Sequence, residues 1–257
     1  MENNSTNKVM LQIRQLVLLA GLALLAPGLT AQQTAPITRA TAEKVSSVFD
    51  DFSAEYAAFR YGRELGNATL SLSKLADNQY RLDYSSSVSL FFLSDKRKES
   101  SVFSLQDQQI IPQHYRFKRT GTGSDKQTRV EFNHEKNKIV VNDKPSFPLE
   151  EQLDNQLYRL DIQAKLALGE SHFDYQVINY RGELRHYQLE VVASETLDLP
   201  YGKINTIKVG FIRENSSRQT YAWFAPELNY QLVRLQQFKD GEEQGDVRLK
   251  SYQPVSS

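Results

Sequence analysis

Four histidines are the first residues of this chain to consider for metal binding or proton transfer. None of them belongs to an H-x-H or H-E-x-x-H pattern, which would place two imidazoles on one face as metal ligands. The chain also has no cysteine, which excludes thiolate-held metal sites, a thiol nucleophile and disulfides. We therefore predict no metal and no cofactor, and interpret the histidines as ordinary surface or strand residues. They are His114, His134, His172 and His186.

Glycine-rich and acidic patterns are the next candidates for chemistry. Residues 121–126 (Gly-Thr-Gly-Ser-Asp-Lys) lack the G-x-x-x-x-G-K-[ST] spacing of a phosphate-binding loop, so they predict a hairpin turn. The acidic pairs at 150–151 and 242–243 could in principle serve acid–base chemistry on a glycoside. The first pair lies at a predicted helix start and the second in a predicted turn, so neither indicates a cleft. No G-x-S-x-G pattern of a serine hydrolase occurs, and we predict that the protein is not an enzyme.

Aromatic side chains remain as candidates for a functional site. The chain has 13 Phe, 13 Tyr and one Trp, and none of them precedes Phe49. Tyrosine and tryptophan combine an apolar ring with a polar atom, which suits the wall of a cavity that binds an apolar or amphiphilic ligand. Our predicted ligand-lining residues are Tyr115, Tyr175, Tyr187 and Trp223.

Short runs with alternating apolar and polar residues must position these aromatic side chains. In residues 173–177 and 187–191 every second residue is apolar, as in a half-buried antiparallel strand, and turn residues such as Gly182 separate the runs. Roughly a dozen such runs follow one another at intervals of about 8–12 residues. We predict a mainly β domain over residues 49–255: a single antiparallel, twisted half-barrel or barrel-like sheet of about a dozen strands.

Three other segments carry their own predictions. Apolar residues recur every three or four positions over residues 149–168, between Pro148 and Gly169, which predicts one amphipathic helix that packs on the sheet as a plug or lid. Residues 90–93 (Leu-Phe-Phe-Leu) predict a strand buried on both faces, or alternatively one face of an apolar cavity. The basic run at 96–98 predicts a solvated strand end, with contact to a lipid head group or polyanion as the alternative.

Spaced residues over nearly all of the predicted domain carry a family resemblance. The most recognisable piece is residues 221–227 (Tyr-Ala-Trp-Phe-Ala-Pro-Glu), and residues 52–56, 109–115 and 129–132 add to it. These pieces resemble a bacterial family of exported proteins, domain of unknown function 3108. The resemblance implies a β-rich periplasmic domain without an agreed activity. Gln231 departs from the family pattern, which leads us to expect a proline there.

The N-terminus predicts export. Basic residues precede an apolar run over residues 16–26, and the small Ala31 follows, so residues 1–31 are predicted to be a cleaved signal peptide. The run is shorter than the about 20 apolar residues that span a bilayer, although an uncleaved anchor is the alternative. Without a cysteine the mature chain cannot carry the lipid of a bacterial lipoprotein. We predict a periplasmic protein that does not span the membrane, with a flexible linker over residues 32–48.

The charge balance and the absence of catalytic motifs restrict the function. With 31 basic and 31 acidic side chains the chain has no basic excess, so we predict no nucleic-acid partner. Our leading hypothesis is a non-catalytic protein that binds or carries an apolar or amphiphilic cell-envelope component, such as a lipid, in a half-barrel cavity. The second hypothesis is a module that docks on another envelope protein. The third is a hydrolase of envelope polysaccharide, which would need two acids in one groove.

Overall fold

The computed structural model of the chain describes residues 39–76, 78–90, 92–214 and 216–255. The predicted signal peptide, residues 1–31, and the first part of the predicted linker lie outside the described residues. Within the described ranges, no helix is both long enough and apolar enough to cross a membrane.

Fifteen strands pair into one sheet in the described part of the chain. They are β1 (Phe52–Arg60), β2 (Arg63–Lys74), β3 (Gln79–Leu90), β4 (Leu93–Gln106), β5 (Gln109–Gly121), β6 (Lys126–Asn133), β7 (Lys138–Val141), β8 (Lys144–Pro148), β9 (Leu153–Asp154), β10 (His172–Ile178), β11 (Leu184–Leu199), β12 (Gly202–Ile212), β13 (Arg218–Ala225), β14 (Gln231–Lys239) and β15 (Glu242–Pro254).

The sheet is open, with β8 and β9 at its two edges. Its strand order runs from β8 down to β1, continues at β15 and runs down to β9. Neighbouring strands pair antiparallel except β9 and β10, which pair parallel. The mainly β, single-sheet fold class is thus confirmed, and the strand number is higher than the predicted dozen.

The sheet curls until strands near its two edges touch. Ser101 of β4 donates a hydrogen bond to Asp154 of β9, with 2.9 Å between Oγ and Oδ1. Thr128 of β6 donates to the carbonyl of Tyr180, just after β10, at 2.8 Å. Gly182 packs so closely on β7 that a Cβ would clash with a β7 side chain. Because side chains and not sheet hydrogen bonds join these edges, the sheet is barrel-like without being closed.

Residues Arg39–Val48 form helix α1, which corrects the expectation of a flexible linker over the second part of residues 32–48. Val45 and Val48 are buried, as is Phe49 directly after the helix. The prediction failed because the segment has few large apolar side chains overall. Two valines three residues apart lie on one face of a helix, and that face is enough to anchor α1 in the core.

Helix α2 spans Leu157–Ala167 and starts well after residue 149, where the sequence predicts the start. The side chain of Asp154 accepts hydrogen bonds from the backbone N–H groups of Gln156 (2.8 Å) and Leu157 (3.0 Å). These bonds satisfy donors that a helix start leaves free, so the helix begins just beyond Asp154. The two residues Leu153 and Asp154, which precede the helix, form β9, and β9 pairs with β10.

Buried apolar side chains of the described residues form a large cluster and a small one. The large cluster collects residues from both helices and from strands on both sides of β1, among them Leu72, Leu157 and Phe224. The small cluster lies where the edge strands meet, and its members are Tyr115, Phe117, Val130, Phe132, Ile139 and Ile178.

Phe92 and Leu93, in the apolar run at residues 90–93, are not buried as the sequence predicts. Leu90 pairs with Leu93 at the ends of β3 and β4, so Phe92 falls in the connection between them and is 92% exposed. Leu93 is also exposed. The apolar pattern cannot reveal this, because the position of a hairpin turn depends on the register of the two strands.

Candidate functional site

A cavity of about 520 Å³ lies between α2 and the sheet face turned towards it, which we call the inner face. Small-molecule sites typically enclose about 300–1,000 Å³. Strands on both sides of β1 contribute to its wall. The aromatic rings of the wall are Tyr56, Tyr84, Tyr158, Tyr180, Tyr187 and Phe211, and its aliphatic side chains are Leu70, Leu82, Leu160, Leu232, Leu235 and Val247.

Helix α2 turns one face towards the cavity. Arg159, Leu160 and Gln163 line it, together with Gln156 just before the helix. This spacing of three and four residues places the four side chains on one side of the helix. The helix therefore covers the inner face of the sheet, as the predicted plug or lid would. An open volume remains between the sheet and the partly polar face of α2.

Tyr187 is the predicted ligand-lining residue that lies in the cavity wall. Its ring centroid is 5.4 Å from that of Tyr158 and 5.4 Å from that of Phe211, both edge-on. Edge-to-face contacts are a favourable arrangement of aromatic rings. The three rings thus form a fixed apolar wall that joins α2 to β11 and β12.

Tyr175 and Tyr115 are buried beside the cavity and not in its wall. The Tyr175 ring is 6.0 Å from that of Tyr158, and its hydroxyl donates to Asp161 at 2.7 Å. The Tyr115 hydroxyl donates to Glu99 at 2.6 Å. Burial is the main cause that raises the pKa of both phenols. Tyr175 thus packs against the wall residue Tyr158, and Tyr115 is hydrogen-bonded to the wall residue Glu99.

Trp223 lies on the opposite face of the sheet and does not line this cavity. Thr220 of β13 is in the wall, and Trp223 follows three residues later, so the alternation of the strand turns it outwards. Its Nε1 donates to Glu195 at 2.7 Å, and the cations of Arg234 and Lys208 lie 4.7 and 5.0 Å from its ring. Alternation predicts which residues share a face, but it does not tell which face is the inner one.

Arginines in the wall are functional candidates that the sequence did not indicate. Arg159, Arg213 and Arg218 line the cavity, and none of them forms an ion pair with a carboxylate of the described residues. Arg159 donates to Gln156 Oε1 at 3.2 Å, and Arg213 donates to Thr220 Oγ1 at 3.1 Å. Desolvation lowers the pKa of Arg213. Arg213 and Arg218 lie at strand ends and are exposed, and Arg159 lies on α2, so none of the three stands out in the sequence and only the tertiary structure brings them to one cavity.

A buried polar network lies at the start of α2, next to the cavity. Asp154 is 0% exposed, and burial raises its pKa to about 7. Its Oδ2 atom and the Nε2 atom of Gln156 are buried without a hydrogen-bond partner. Glu99 accepts hydrogen bonds from both Tyr115 and Asn155. The carboxylate in the wall is thus already bonded, whereas the amide of Gln156 still has a donor to offer.

The other residues considered for chemistry stay apart from one another. In the part of the chain that the structure describes, no three His, Asp or Glu side chains converge as a metal site would require. His186 contacts Asp174 at 2.7 Å on two neighbouring strands. Residues 121–126 connect β5 to β6 as a hairpin. In the basic run at 96–98, Arg97 lies in the cavity wall and is ion-paired with Asp95 at 2.7 Å.

Comparisons with known proteins agree with this architecture. The family described as "Protein of unknown function (DUF3108)" matches residues 51–248. No curated protein matches the sequence. The crystal structure of a β-barrel-like protein of domain of unknown function DUF1849 from Brucella abortus is similar over 81% of this chain and 99% of its own, with a TM-score of 0.55 and 8% identity. At that identity the similarity shows the fold alone.

Two further solved structures are similar at a lower level. One is a Bacteroides fragilis protein with a YmcC-like fold, provisionally described as exported, with 12% identity, a TM-score of 0.32, and coverage of 79% of this chain and 96% of its own. The other is a Parabacteroides distasonis protein provisionally described as a lipoprotein, with 12% identity, a TM-score of 0.31, and coverage of 79% and 95%.

Proposed function

This chain belongs to the family of proteins of unknown function DUF3108, and because that description names no activity, we propose a function from the cavity. The protein binds an amphiphilic molecule between α2 and the inner face of the sheet, and carries it through the cell envelope without chemical change. The observation that carries this proposal is a cavity of about 520 Å³ whose wall combines apolar and cationic side chains. The predicted signal peptide supports a periplasmic, non-anchored location.

The apolar part of the wall suits an alkyl chain. Leu70, Leu82 and Val247 come from three strands and face the same space as Leu235. Each methylene group that moves from water into such surroundings contributes about 0.8 kcal/mol of binding free energy. A chain of several methylenes would therefore be retained, and the polar part of the wall would receive the other end of the molecule.

The cavity favours a carrier over the other two functions considered. A docking module would need a packed interior and an apolar outer patch, whereas here the interior holds an open volume. A polysaccharide hydrolase would need two acids facing one groove. Among the described residues of the wall, Glu99 is the one carboxylate, and two hydrogen-bond donors already hold it.

Blocking the cavity tests this function. N-phenylnaphthylamine is an uncharged fluorophore that brightens in apolar surroundings, and we expect it to bind the wild-type protein saturably with one site. Leu235→Trp places a larger side chain in the wall and should weaken binding at least about tenfold, the loss of about 1.4 kcal/mol. The matched control, Leu93→Trp at an exposed site, should bind as the wild type does.

Two results of this titration would overturn the proposed function. One is the absence of saturable binding to the wild type. The other is equal affinity of the wild type and Leu235→Trp, with far-UV circular dichroism spectra showing that both are folded.

A further inference from the structure

The polar part of the cavity wall carries more unpaired positive than negative charge. Four arginines line the cavity, and Glu99 is the one acidic residue among the described wall residues. Arg97 is ion-paired with Asp95, which also pairs with Arg119. Glu99 accepts hydrogen bonds from two neutral donors, and its charge acts on Arg159. Arg159, Arg213 and Arg218 remain without an ion-pair partner in the described chain. A cavity with this balance attracts a negatively charged group.

Gln156 is a second and independent sign of an acidic ligand. Its side chain is 3% exposed and lines the cavity. The Oε1 atom is used by Arg159, which donates to it at 3.2 Å, while the Nε2 atom has no partner. A buried donor without an acceptor is unfavourable. An oxygen of a ligand in the cavity would satisfy it and would lie beside the guanidinium of Arg159.

Two aromatic rings of the wall, Tyr158 and Phe211, already face a cation of the protein itself. A cationic head group would need a free ring face. The guanidinium of Arg159 lies over the Tyr158 ring at 5.1 Å, and that of Arg213 lies over the Phe211 ring at 4.6 Å. Positive charge therefore occupies one face of each of these two rings, and it disfavours a second cation at these two places.

We propose that the ligand is an anionic amphiphile whose acidic head group, a phosphate or a carboxylate, binds Arg159, Gln156 and Arg213. This assignment rests on the proposed function, because it uses the same cavity and names the class of its ligand. The guanidinium groups and the amide Nε2 donate to the head-group oxygens, and charge-assisted bonds of this kind are stronger than neutral ones. The alkyl chain lies against the aliphatic wall that includes Leu235.

Probes that share one chain and differ in the head group test the assignment. Dodecyl phosphate, dodecanoate, dodecanol and dodecyltrimethylammonium are each titrated against N-phenylnaphthylamine bound to the full-length mature protein. We expect at least one of the two acids to displace the fluorophore at about tenfold lower concentration than dodecanol, as expected for one charge-assisted interaction. The cationic probe should be the weakest.

Two arginine variants locate the effect. Arg213→Gln should weaken the preferred acid about tenfold and leave dodecanol unchanged. The matched control is Arg116→Gln, an exposed arginine on β5 that does not line this cavity, and it should leave all four affinities unchanged. Circular dichroism spectra establish that each variant is folded.

The outcomes separate this inference from the proposed function. Displacement by dodecanol at the same concentration as both acids would overturn the anionic head group and leave the carrier function standing. The same holds if Arg213→Gln weakens dodecanol as much as the acids. If none of the four probes displaces the fluorophore from the wild type, the carrier function itself is refuted and this inference with it.

Discussion

Asp154 should make the stability of the fold depend on pH. Burial is the main cause that raises the pKa of this carboxyl from its ordinary 3.8 to about 7 in the folded protein. Below about pH 4 the group is protonated in both the folded and the unfolded chain. As the pH rises from about 4 to 7, the unfolded chain loses this proton while the folded protein keeps it. The free energy of unfolding therefore falls across this window, and the full penalty is present above pH 7.

The magnitude follows from the difference between the two pKa values. About three pKa units at about 1.4 kcal/mol each correspond to about 4 kcal/mol at alkaline pH. Asp154→Asn cannot ionise, and its side-chain oxygen can still accept the bonds from Ser101, Gln156 and Leu157 that Oδ1 accepts now. Its amide group takes the place of Oδ2, which has no partner.

Urea unfolding followed by circular dichroism at several pH values measures this effect. We expect Asp154→Asn to match the wild type within about 1 kcal/mol near pH 4 and to be more stable by up to about 4 kcal/mol near pH 8. Asp83→Asn, at a half-exposed position of β3 where the carboxylate pairs with Arg81 at 3.0 Å, is the control and should stay within about 1 kcal/mol of the wild type at every pH. A variant at residue 154 that is less stable than the wild type near pH 8, or that keeps the same pH dependence, would refute this reasoning.

Three further substitutions test the description of the site and the core. Trp223→Phe should change the affinity for N-phenylnaphthylamine in a fluorescence titration by less than about twofold, because Trp223 is on the outer face. A large loss of affinity would contradict that placement. Tyr56→Phe removes the hydroxyl that accepts a hydrogen bond from the Gln231 amide at 2.8 Å. The free energy of urea unfolding should fall by about 1–3 kcal/mol. An unchanged value would show that this buried bond contributes nothing to stability. Arg234→Gln removes one of the two arginines that pair with the buried carboxylate of Asp246, at 2.8 Å for Arg234. The free energy of urea unfolding near pH 7 should fall by about 2–4 kcal/mol. An unchanged free energy would contradict the pairing.

The strands could be predicted from the sequence because their pattern is local. In β10 every second residue from Phe173 to Val177 is buried, and this pattern depends on neighbouring residues alone. The start of α2 could not be predicted in the same way. Apolar spacing continues back to residue 149, but the side chain of Asp154 bonds the first free N–H groups and pairing of β9 with β10 takes up the residues before it.

The candidate site could be predicted only in part, because it depends on how distant strands come together. Tyr187 and Trp223 have the same chemistry and similar strand patterns, yet Tyr187 lines the cavity and Trp223 faces away from it. The wall arginines could not be predicted for the same reason. Arg159 and Arg213 are far apart in the sequence, and they line one cavity only because the sheet curls.

Whether the cavity carries an amphiphile is tested most directly by what the protein holds when it is purified from the cells that produce it naturally. The wild type and Leu235→Trp are isolated in parallel without detergent, and extracted lipids are quantified by mass spectrometry. We expect about one anionic amphiphile per wild-type molecule and only background amounts with Leu235→Trp. Background amounts with the wild type, or equal amounts with both proteins, would contradict a carrier function for this cavity.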